Sequence, residues 1–194
     1  MAARSGMANL VQDVRLMCEL GTADYVVGGV TYWSDDDIQQ ELDKFRQTSR
    51  AEMLQVQSDY TNGTVIYQDY YWNKSDVEEY DASNAEIFHL EDSLGSVVGT
   101  ADYTVNYDAR HIRFSTNTDG SAYYLTYRHH DVNRVASRIW KKKAGHVANR
   151  FDIKSDNHDL KASQLRTAYL QMAKTFATAS SPRSVRLVRS DLNA

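Results

Sequence analysis

Proline occurs once in the 194 residues, at Pro182, and cysteine once, at Cys18. A lone cysteine excludes an internal disulfide and fits a reducing compartment. Confining proline to position 182 places the end of ordered helix late in the chain. No run of about 18 apolar residues occurs, so no membrane span is expected. The opening MAARSGMANLVQDVRL is broken by Asp13 and Arg15 before an apolar core develops, which makes it a poor signal peptide. The expected location is therefore the cytoplasm, or whatever is assembled there. Catalytic signatures are missing as well. Gly28-Gly29 lacks the lysine and serine of a phosphate-binding loop, and HExxH, CxxC and GxSxG do not occur. No catalytic, cofactor-binding or metal site is expected, and the chain does not read as an enzyme.

What is present suits a soluble globular chain, at 42% hydrophobic and 25% charged. A chain of this length buries roughly 70% of its unfolded surface and needs no staple to fold. Tyrosine is abundant, at 13 residues, which suits strands and contact surfaces. The formal charge of −4 hides a division. Residues 1–130 hold 9 basic and 21 acidic residues, a balance of −12, whereas 131–194 hold 13 and 5, a balance of +8. The basic part suits nucleic acid, an acidic protein, or the acidic part of a neighbouring copy in a head-to-tail ring. Solvated helix faces are the plainer reading.

Hydrophobic spacing predicts a helix over 7–20, with Met7, Leu10, Val11, Val14, Met17 and Cys18 on one stripe and Gly21 as its stop. Cys18 reads as a core residue, since no base can be nominated for it. Tyr25–Trp33 is β-prone and broken by two glycines, as a loop or small hairpin. Ser34 is an N-cap candidate, and Asp35, Asp36 and Asp37 fill the first turn of the next helix, where the dipole favours negative charge. Ile38, Leu42 and Phe45 carry that helix to Gln47 or a few residues beyond.

From residue 52 the pattern changes. Strands are predicted at 64–72, 86–90, 103–107, 111–114 and 122–127, with turns at 92–95, 108–110 and 117–120. The acidic stretch 73–86 reads as an exposed loop. His129 and His130 are adjacent and would point to opposite faces of a strand, so a surface or strand-end role outweighs metal binding. Helical spacing returns over 131–151, with Val132, Val135, Ala136, Ile139, Val147, Ala148 and Phe151 on the stripe. Lys141, Lys142 and Lys143 sit in its middle, as a candidate subunit or channel contact. A last helix runs from about Leu160 to Ala179 through Leu165, Tyr169, Met172 and Phe176.

Between these two helices lies DIKSDNHD, Asp152 to Asp159. As a calcium loop it fails, because Lys154 and Asn157 stand where a carboxylate and a glycine are needed. It reads as the hinge of a helical hairpin. The tail beyond Pro182 places Arg183, Arg186 and Arg189 three residues apart, interleaved with Val185, Leu187 and Val188. Its arginines suit phosphate or the carboxylates of a protein partner, and the apolar residues favour a protein groove.

The expected fold class is α+β. About four helices form a bundle, interrupted by a small antiparallel β module and followed by an extended C-terminal tail. The expected divisions are 1–55 (N-terminal helices), 56–130 (β module), 131–180 (helical hairpin) and 181–194 (basic tail).

TYWSDDDIQQELDKFR resembles the start of tailed-bacteriophage head–tail connector proteins, also called adaptor or head-completion proteins. The run from Asp102 to Phe176 is closer still to that family's order of features. Here these are Asp131-Val132, Trp140, Phe151-Asp152, Ser163-Gln164 and Met172-Ala173. The resemblance implies a virion protein at the head–tail junction, assembled in the host cytoplasm. It implies a ring, commonly dodecameric, docked beneath the portal protein, extending the DNA channel and offering a platform to the next neck or tail component. DNA would pass without sequence recognition. The resemblance also implies that the C-terminal segment enters the portal, a role carried to Arg183, Val185, Arg186, Leu187, Val188 and Arg189. A DNA-binding module using Lys141, Lys142, Lys143 and the arginine tail is the alternative.

Overall fold

A 3-10 turn at Ser5–Met7 leads into α1 (Ala8–Cys18) in the computed structural model, which describes residues 4–21, 26–81, 86–148, 153–155, 158–160 and 162–180. The apolar stripe of α1 is buried at Met7, Leu10, Val11, Val14 and Cys18, as the spacing requires. The helix ends before Gly21. Glu19 adopts a left-handed conformation, φ 52°, and Leu20 N–H reaches back to the Arg15 carbonyl at 2.9 Å.

Val26–Val27 (β1) and Val30–Thr31 (β2) form the small hairpin, turned by Gly28 and Gly29, both at positive φ. Helix α2 (Asp35–Asp43) opens with a full capping box. Asp37 N–H donates to Ser34 Oγ at 3.2 Å, and Ser34 N–H donates to Asp37 Oδ2 at 3.0 Å. The sequence reading carried this helix to Gln47 or beyond. It ends at Asp43, and the chain instead enters β3 (Arg46–Met53), then β4 (Gln55–Thr61).

The remaining strands of the β module are β5 (Thr64–Tyr71), β6 (His89–Asp92), β7 (Tyr103–Asn106), β8 (His111–Phe114) and β9 (Tyr123–His130). They make two antiparallel sheets, ordered β3-β9-β6 and β4-β5-β8-β7. The sheets share one core of Leu54, Tyr70, Trp72, Val77, Phe88, Leu90, Tyr103, Ile112, Phe114, Leu125 and Tyr127. Its aromatic rings meet edge-on or tilted, as at Tyr70–Phe114 (5.3 Å, 69°) and Trp72–Phe88 (6.3 Å, 75°). Each large apolar side chain buried here contributes roughly 1.5–3 kcal/mol. Tyrosine is abundant because its ring fills this core while its hydroxyl still finds a partner. Tyr127 donates to Glu52 Oε2 at 2.7 Å, and Tyr70 to the Ser121 carbonyl at 2.9 Å. Burial first, and then the neighbouring Glu52, raises the Tyr127 phenol; burial pushes that of Tyr107 up to about 12.

Two compact units divide the chain, residues 1–135 and 136–194. Helix α3 (Val132–Val147) begins in the first and continues into the second, which also holds β10 (Ile153–Ser155), β11 (His158–Leu160) and α4 (Ala162–Ser180). β10 and β11 pair antiparallel, Ile153 with Leu160 and Ser155 with His158, so the chain reverses across DIKSDNHD. Two short paired strands thus stand within the stretch read as a hinge, of which Asp152, Asp156 and Asn157 lie outside the described residues. The fold class is α+β: among the described residues, four α-helices and small antiparallel sheets.

Candidate functional site

The acidic stretch after β5, expected to be exposed, is partly internal. Val77 bridges His129 on β9, and Glu78 is only 1% exposed. The burial of Glu78 is made possible by Arg4 and His130, drawn from distant parts of the chain. Arg4 Nε donates to Glu78 Oε1 at 2.8 Å, while its two terminal nitrogens fork onto Asp43 at 3.0 and 2.7 Å. His130, at the end of β9, donates from Nδ1 to the Leu42 carbonyl at 3.2 Å, and its Nε2 lies 3.6 Å from Glu78 Oε2. Burial alone would raise the Glu78 carboxyl, but Arg4, hydrogen-bonded to it, and the nearby His130 outweigh burial and hold it below the usual carboxylate range. Asp43 is held low in the same way by Arg4. This cluster joins the N-terminus, α2, the 77–79 segment and the β9 end. Its carboxylates are engaged by Arg4 and packed against His130, which suits a structural clasp. His130, read from sequence as surface or strand-end, is a buried member of it.

A second polar feature opens beside α1. A cleft of about 220 Å³ is lined by Asn9, Asp13, Asp76, Glu79, Asp108 and Arg110, among others. Burial raises the carboxyl groups of Asp13 and Asp76; the charge of Asp108 adds to the first, and those of Asp13 and Asp131 to the second. Four carboxylates against one arginine give this surface an acidic character suited to a basic partner segment. Among the described residues no three His, Cys, Asp or Glu side chains form a metal-ion site. No helix among them is long and apolar enough to cross a membrane.

In the second unit, the lysine triplet separates by helical geometry. Lys141 and Lys142 are exposed, but Lys143 is 5% exposed. Its ammonium lies 4.4 Å from the Trp140 ring centroid and 5.9 Å from that of Tyr169, whose rings are themselves 5.2 Å apart. Lys143 therefore helps join α3 to α4 by cation–π attraction. Ser137 Oγ donates to the Ala173 carbonyl at 2.8 Å between the same helices. Of the three candidate contact lysines, Lys141 and Lys142 are exposed and Lys143 is buried. Arg183, Val185, Arg186, Leu187, Val188 and Arg189 lie outside the described residues.

Sequence reasoning missed the Arg4–Asp43–Glu78–His130 cluster, because its members lie up to 126 positions apart and form no local motif. No protein-family model matches the chain, and no curated protein matches it.

Proposed function

We propose that the chain is a structural virion protein, a subunit of a ring that joins the portal of a phage capsid to the neck or tail and extends the DNA channel. The observation that carries this reading is the match between charge and architecture. The first unit, 1–135, holds 10 basic and 22 acidic residues, and the second, 136–194, holds 12 and 4. Opposite charges on two units of one chain suit head-to-tail association, in which the basic part of one copy meets the acidic part of the next. The family resemblance of TYWSDDDIQQELDKFR and of residues 102–176 supplies the particular assembly. The arginine tail is the portal-gripping element, and repetition around a ring makes many modest contacts into a durable joint. The chain performs no catalysis in this reading.

The test is co-sedimentation of the full chain with the portal ring of the same phage. The wild type should bind, and the triple substitution of Arg183, Arg186 and Arg189 to Glu should abolish binding without changing the thermal transition. Retained binding by that variant would contradict the tail's role. A duplex-DNA titration at two salt concentrations addresses the alternative. Tight binding that falls steeply with salt would favour a DNA-binding module.

A further inference from the structure

β4 and β5 run past the rest of their sheet. β8 pairs with β5 only at Asp69, Tyr70 and Tyr71, and the 117–120 turn holds Tyr67 through Thr118 N–H and Asn117 Oδ1. Beyond Tyr67 the chain is a two-stranded ribbon closed by Asn62-Gly63. All seven residues of β4 are exposed. From Gln55 to Gln68 the only charged residue is Asp59, whereas a quarter of the whole chain is charged. Tyr60 (71% exposed), Val65 (44%) and Val56 (43%) stand on this ribbon. Exposed tyrosine and valine with little charge is the composition of an interface centre. β4 is also an edge strand without the lysine or proline that blocks edge pairing.

We infer that the β4–β5 ribbon is an assembly arm whose open β4 edge pairs with the β3 edge of a second copy of this chain. β3 is an edge of the other sheet, largely exposed, and carries Arg46 and Arg50. Asp59 supplies the complementary charge. Its carboxylate accepts from Tyr60 N–H at 2.7 Å. Thr61 and Thr64 flank the two-residue turn, so the Tyr60 N–H faces away from β5 and the carboxylate lies at the open edge. Arg50 lies in a β-bulge of β3 between Ser49 and Glu52, which turns an exposed cation to the open edge, and Met53 just beyond it is 61% exposed. One edge binding a different edge is a heterologous contact, the kind that closes rings. The inference deepens the ring reading above and rests on it.

The test follows assembly of the full chain, alone and on the portal ring, by native mass spectrometry over a concentration series. The variants are Asp59→Arg, Arg50→Asp and the two combined; both sites are exposed, and circular dichroism checks each fold. Either reversal alone should raise the concentration needed for assembly by about tenfold or more, since like charges then face each other. The combined variant, with both signs exchanged, should recover most of the loss. Single variants that assemble like wild type, a combined variant no better than the singles, or a species that stops at a symmetric dimer would each overturn the arm while leaving the ring reading in place. A wild type that remains monomeric both alone and on the portal would overturn the ring reading itself.

Discussion

His130 Nε2 stands 3.6 Å from Glu78 Oε2, and neither residue is more than 2% exposed. With Arg4 on the other side of the same carboxylate, Glu78 is the hub of the first unit's ionic clasp. Glu78→Gln keeps the shape and removes the charge that Arg4 and His130 face. Breaking a buried pair in this way costs about 3 kcal/mol, which should appear as a clear loss in urea stability at neutral pH. The pH sign follows from the lowered Glu78 and Asp43 carboxyls. Their contribution is present above the ordinary carboxylate range and is lost as pH falls through it. The gap between wild type and Glu78→Gln should therefore narrow as pH falls below the ordinary carboxylate range, through the lowered folded values. A gap that stays constant would separate Glu78 from the clasp.

Asp76 behaves in the opposite sense. Its carboxyl is raised by burial and by the charges of Asp13 and Asp131, so ionisation at neutral pH works against the fold. Asp76→Asn should raise the melting temperature at neutral pH, and this advantage should fade as pH falls and the wild-type carboxyl protonates. Asparagine also tolerates the left-handed backbone at this position, φ 58°. A lowered melting temperature at neutral pH would contradict the account.

Gly6 is fixed by a close approach. Glu79 N–H donates to the Gly6 carbonyl at 3.0 Å, and a β-carbon on Gly6 would fall inside contact distance of the Glu79 carbonyl oxygen. Backbone atoms on both sides leave no flexible side chain to give way. Gly6→Ala should destabilise the chain by about 1–3 kcal/mol, read by chemical denaturation, whereas Gly95→Ser should act only through its positive φ, at 79° and in open space.

The three lysines of α3 should separate in mutagenesis. Lys143→Met keeps an apolar stem but loses the attraction to Trp140 and Tyr169, and should cost about 1 kcal/mol. Lys141→Ala and Lys142→Ala change exposed positions and should alter stability little. Equal stability losses at all three would show that Lys143 has no special place between the helices.

The sequence made legible what is written locally. The α1 stripe, the Ser34 cap with its aspartates, the glycine turns and the alternation of Tyr103–Asn106 all read correctly, because each is decided by near neighbours. β3 and β4 were missed. RQTSRAEM and QVQSDYT have no apolar alternation to reveal a strand, since both are largely exposed edges. Glu78 and His130 were placed outside the core because their types favour solvent. The arrival of Arg4, 74 residues from Glu78, and the packing of His130 against the same carboxylate make that burial tolerable. The lysine triplet read as one patch, although consecutive helical residues point in different directions and Trp140 captures one of them.

The proposed ring holds the portal through its tail. Native mass spectrometry of the full chain mixed with its phage portal measures this most directly. One closed complex carrying several copies of the chain is expected, lost when Arg183, Arg186 and Arg189 become glutamate. A chain that remains monomeric and apart from the portal at every concentration would contradict it.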